Sequence, residues 1–166
     1  MENIFRMCPP NQDPVLSLLR LHLLTEYYLE RLLANVLPRA DRLTEKGRLS
    51  YAQKVSLVHA LDVIDDRTIA SLRGLNAVRN ACAHEMDRAI TLADIDRFGR
   101  PLGADYTAIR RQYHDDLEDL LRLTAGTACK ELVLTILQKE RQAATKIEQS
   151  KQQELLAPSN ESSVEL

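Results

Sequence analysis

With only five glycines and six prolines in 166 residues, three of those prolines within the first fourteen, the chain has little of what builds turns and irregular loops. Leu, Ala, Glu, Arg and Gln dominate the rest, and these are helix formers. An all-α fold is the expectation. No stretch approaches the ~18 consecutive apolar residues of a membrane span. The opening MENIFRMCPPNQDP lacks the basic start and apolar run of a signal peptide, so the chain reads as cytoplasmic, without a membrane partner. Cysteine is sparse too. Cys8, Cys82 and Cys129 are odd in number, widely spaced and without a CxxC pair, which fits reduced thiols rather than a disulfide framework or zinc site. No His/Asp/Glu grouping has metal-ligand spacing, so neither a metal nor another cofactor is expected. Strong charge of one sign is missing as well. With 22 basic against 24 acidic residues and a net charge of −2, the surface as a whole cannot hold nucleic acid by charge, and any such contact must be local.

What is present is helical periodicity. Asp13-Pro14 is a helix start, and apolar residues at 15, 18, 19, 29, 33 and 36 predict a first helix over about 14–36. Pro38 and the polar stretch through Arg48 end it. Ser50 caps a second, shorter helix carrying Val55, Leu57, Val58 and Leu61. Asp65-Asp66 precede a third over about 67–86. Thr91 to Gly103, punctuated by Gly99, Pro101 and Gly103, predicts one helical turn and a loop. Residues from Ile109 to Ile136 predict a long final helical region, bent near Gly126. The expected architecture is an antiparallel bundle of four main helices over 14–138. Residues 139–166, rich in Lys, Gln, Glu and Ser, are expected to be a fraying helix and then a disordered polar tail.

The third helix carries the segment Arg79-Asn80-Ala81-Cys82-Ala83-His84. On a wheel with Leu72 at zero, Leu75 lies at about −60°, Ala83 at about +20° and Met86 at about −40°, while Arg79 falls at about −20°, within the apolar stripe. A guanidinium buried alone costs several kcal/mol. Arg79 therefore needs an acid partner or lines a cleft. Asn80 and His84 share a flank at about +80° and about +120°, where Asn80 could orient the imidazole. Arg79 and His84 are ~140° apart around an ideal helix, so a site using both calls for a loosened helix end or a two-fold dimer through these helices. In the first helix, His22 and Glu26 fall in the apolar sector, and Glu26 is the expected partner of Arg79 across the bundle.

Taken in order, a long helix, then RLSYAQKVSLVHAL, then SLRGLNAVRNACAHEMD, the chain resembles the HEPN superfamily, marked by an Arg, usually a polar residue after it, and a His four to six residues on. Arg79, Asn80 and His84 match that mark, and the likeness spans about 14–137. It implies a helical bundle that dimerises through the motif helix and cuts RNA without a metal, as toxins or phage-defence effectors do, with an antitoxin or regulatory protein as a possible partner. His84 would then do acid–base work and Arg79 would stabilise charge on the phosphate, with His22 and Glu26 in support. Members paired with a nucleotidyltransferase antitoxin commonly carry a modified Tyr two residues after the His, where this chain has Met86. Arg73 and Arg88, with Arg97 and Arg100, could extend a phosphate-binding strip, and Tyr27-Tyr28 could offer a stacking surface. The alternative reading is a non-catalytic helical module for protein binding or transcriptional regulation, similar to the mannitol operon repressor, in which Arg79 and Glu26 hold the bundle together.

Overall fold

A computed structural model describes residues 13–44, 49–85 and 87–156; Cys8, Met86 and the expected tail beyond residue 156 lie outside the described residues. The chain is all-helical, with no strand among the described residues. Its elements are α1 (Pro14–Val36), the short α2 (Asp41–Thr44), α3 (Tyr51–Ala60), α4 (Asp66–His84), α5 (Leu92–Gly99), a 3-10 turn (Arg100–Leu102), α6 (Ala104–Gln112) and α7 (Leu117–Leu156). None of the described helices is long and apolar enough to cross a membrane.

The boundaries follow from local chemistry. Asp13 accepts a hydrogen bond from the Val15 N–H at the start of α1, with Pro14 in the first turn, where its missing N–H costs nothing. The helix stops at Leu37, which is extended because the ring of Pro38 excludes the helical conformation before it. Ser50 and Gln53 form a reciprocal capping box on α3. The Asp65 carboxylate takes the Thr68 N–H, 2.8 Å away, at the head of α4.

Two segments differ from the sequence expectation. Thr91 to Gly103 holds a two-turn helix because Thr91 and Asp94 form a second capping box, and Leu92, Ile95 and Phe98 then point to one side. The expected long final helix is broken between Gln112 and Leu117, where Asp116 accepts from the Asp119 N–H and opens a new helix; α7 passes through Gly126 and runs on across residue 139 to Leu156. Its residues from 141 to 150 are all exposed.

The core lies between α1 and α7, with α4 packed against both. One cluster joins Leu18 and Leu21 of α1 to Leu75, Phe98 and Leu121, and a second joins Leu29 and Leu33 to Val58, Leu72 and Leu132. Each fully buried Leu contributes roughly 1.5–3 kcal/mol of transfer free energy. Gly74 lets α5 lie directly on α4: a Cβ there would stand 2.9 Å from the Arg97 carbonyl oxygen and from the Phe98 Cα. Arg88, just past the end of α4, reaches Asp94 at the start of α5, so α5 runs back along α4.

Candidate functional site

Arg79 lies half-buried five residues before the end of α4, and His84 is its last helical residue, exposed. The helix is regular to that point, since the Glu85 N–H still reaches the Ala81 carbonyl at 3.2 Å. The end does not loosen, and within one chain the two side chains leave the axis ~140° apart.

The expected Glu26–Arg79 pair is corrected by the structure. Glu26 accepts from Lys54 Nζ at 2.7 Å, and Glu30, one turn on, accepts from the same ammonium at 2.5 Å. The Lys54 side chain is 3% exposed, whereas Arg79 is only half-buried, so the stronger demand for a carboxylate comes from Lys54. Among the described residues no acid pairs with the Arg79 guanidinium. Its Nη1 donates instead to Asn80 Oδ1 at 3.1 Å. Asn80 thus holds the guanidinium, and not the His84 ring as its position on the same flank suggested.

His22 is buried at 6% exposure and tied to α4 one turn before the motif, with Nε2 3.1 Å from Asn76 Oδ1. Its ring stacks on Tyr51, centroids 4.0 Å apart, and the Tyr51 hydroxyl meets Thr25 Oγ1 at 3.0 Å. Burial holds the imidazole below its ordinary pKa; the Asn76 bond and Glu26 oppose this, while the charges of Arg79 and Lys54 add to it. His22, Asn76, Lys54 and Tyr51 form a polar layer beside Arg79 that joins α1, α3 and α4. Sequence reasoning missed Asn76, Tyr51 and Lys54. Lys54 was open to detection, since it sits three residues after Tyr51 and four before Val58, inside the apolar stripe of its own helix.

Of the four arginines about the motif, Arg97 is exposed and the other three are engaged. Arg88 pairs with Asp94 at 2.6 Å and with Glu85 at 3.2 Å. Arg73 donates to His59 Nδ1 at 3.2 Å, and His59 Nε2 lies 3.0 Å from Asp66. Arg100 pairs with Asp96. Tyr27 is exposed and meets the half-buried Tyr28 edge-on, centroids 5.4 Å apart. Cys82 is half-buried and Cys129 buried, neither in a disulfide, and burial raises the Cys82 pKa. No group of three metal-binding side chains occurs among the described residues.

No family model, curated protein or solved structure matches the chain.

Proposed function

We propose that the chain is a HEPN-like antiparallel four-helix bundle acting as a metal-independent endoribonuclease, a toxin or phage-defence effector of the cytoplasm, with its site in the cleft of a homodimer formed through α4. The observation that carries this reading is a half-buried Arg79 with no carboxylate partner among the described residues, five positions before an exposed His84. A guanidinium so placed is held for an anion from outside. Because α4 stays regular, one copy directs Arg79 and His84 apart, and a two-fold pairing of α4 helices brings the Arg79 of each copy toward the His84 of the other.

The chemistry then uses what RNA supplies. The 2′-hydroxyl attacks the adjacent phosphorus, the bond to the 5′-oxygen breaks, and a 2′,3′-cyclic phosphate and a 5′-hydroxyl end result. One His84 takes the 2′-hydroxyl proton and the His84 of the second copy returns a proton to the leaving oxygen. Arg79, braced by Asn80, meets the charge that builds on the phosphate oxygens. The polar layer of His22 and Asn76 fixes the face of α4 from which Arg79 projects. An antitoxin would act by covering this cleft. The alternative, a non-catalytic module for protein binding or transcriptional regulation, would have to hold its bundle without an Arg79–Glu26 pair, since Glu26 pairs with Lys54.

The test is incubation of wild-type and His84→Ala protein with total RNA and tRNA in the presence of a chelator. Fragments with wild type alone, and unchanged melting of the variant, are the expected result. Cleavage that persists in His84→Ala overturns the assignment.

A further inference from the structure

Away from the motif, α5, the 3-10 turn and α6 enclose an open cleft of about 690 Å³, within the size range of small-ligand sites. Its charged lining is unbalanced. Arg100, Arg110 and Arg111 face a single lining carboxylate, Asp96, while His114 at the margin is taken up by Asp115, 2.9 Å away. In a chain of net charge −2, this is a local concentration of positive charge.

Asp96 cannot satisfy what surrounds it. One of its oxygens accepts from the Tyr106 hydroxyl, and the other from Arg100 at 3.0 Å. Arg110 Nε stands 3.7 Å from Asp96, close enough for attraction but too far for a hydrogen bond. Arg111 is exposed and has no carboxylate partner among the described residues. Two guanidinium forks therefore open into the cleft with donors to spare. Gly103, on the lining, sits at φ +66°, a conformation that favours glycine, and it faces open space. Below, the Tyr106 ring packs directly against Gly99, where a Cβ would meet it at 2.3 Å.

We propose that this cleft binds phosphate groups, with Arg110 and Arg111 as the principal ligands and Arg100 as a third. A phosphate offers several oxygens at the spacing a guanidinium fork matches, whereas a lone carboxylate would leave most of these donors unused. The phosphate comes either from the backbone of a single-stranded RNA or from a free nucleotide. The site stands independently of whether the chain cleaves RNA. Gly74 of α4 touches Phe98 at the cleft's end of α5, so the cleft lies about ten residues, or ~15 Å, back along α4 from His84.

The experiment measures binding on the full chain carrying His84→Ala, so that an RNA probe stays intact. One arm titrates a labelled oligoribonucleotide by fluorescence anisotropy at low salt, and the other titrates a nucleoside diphosphate by calorimetry. Arg111→Ala alters an exposed side chain and leaves the core untouched. It should weaken whichever probe binds by about fivefold and lower the salt slope of oligonucleotide binding by about 1. Arg39→Ala, which removes a distant exposed arginine, should change affinity by less than about twofold. Binding of the oligonucleotide alone identifies an RNA strand as the source; binding of the diphosphate identifies a nucleotide. If neither probe binds, or Arg111→Ala and Arg39→Ala have equal effects, the proposal is wrong.

Discussion

Replacing Lys54 and its partners tests the central electrostatic arrangement of the fold. The Lys54 ammonium is 3% exposed and held by Glu26 at 2.7 Å and Glu30 at 2.5 Å. A buried charge stripped of every partner costs about 3–5 kcal/mol. Two carboxylates share this one, and Glu30 at 41% exposure is screened by water, so Glu26 carries the larger part. Glu26→Gln should therefore destabilise the protein by about 1–2 kcal/mol, with Glu30 still in place, and Glu26→Gln with Glu30→Gln should approach the full penalty. Lys54→Met keeps the length of the side chain and releases two carboxylates that reach solvent, for a loss of about 1 kcal/mol or less. In a double-mutant cycle, Glu26→Gln and Lys54→Met should couple by about 1–2 kcal/mol, while Glu26→Gln and Arg79→Ala should be additive within ~0.5 kcal/mol. Urea unfolding followed by far-UV circular dichroism measures each corner. Strong coupling of Glu26 to Arg79, with none to Lys54, would refute both the arrangement and the reasoning from burial.

Gly74→Ala sets two effects against each other: alanine gains ~1 kcal/mol of helix propensity, but its Cβ meets the backbone of Arg97 and Phe98 at 2.9 Å, and overpacking against backbone costs about 1–3 kcal/mol. The expected net is destabilisation with a lower denaturation midpoint; a Gly74→Ala variant more stable than wild type would show that α5 moves freely on α4. His22 supplies a pH dependence. Burial holds its pKa below 6.5, so as pH falls the unfolded chain takes up the proton first. Stability should be full above about pH 6.5, fall as pH drops toward the folded-state pKa and then level off, a window above that of the depressed carboxylates Asp65 and Asp94. His22→Gln should flatten stability in that window, and an unchanged slope in the variant would assign the effect elsewhere. Arg79→Ala, which strands no buried acid, should cost no more than about 1 kcal/mol in the same unfolding assay, and a loss of several would point to a structural ion pair.

Much of the helix plan was legible because its signals are local. Asp13-Pro14, Ser50 and Asp65 each begin a helix through a side chain that reaches only two or three residues along the chain. The same kind of signal at Thr91 and Asp94 was present but overshadowed by Gly99, Pro101 and Gly103, which end the helix rather than prevent it. The break before α7 was hidden because Tyr113 and Leu117 keep helical spacing across it.

Local chemistry was enough to establish that the chain is helical, where α1, α3 and α4 begin, and that Arg79 occupies an apolar stripe five residues before His84. Each of these rests on interactions within a few residues, whose geometry the helix dictates. Which charge meets which was settled by packing alone. Wheel positions placed Glu26 and Arg79 in facing sectors, but the choice between Arg79 and Lys54 depended on which cation the packing of α3 against α1 removes further from water. The cleft of Arg100, Arg110 and Arg111 belongs to the same category. Its guanidiniums come from two elements joined by a tight turn at Gly103, and their surplus over Asp96 exists only once the fold brings them to one opening.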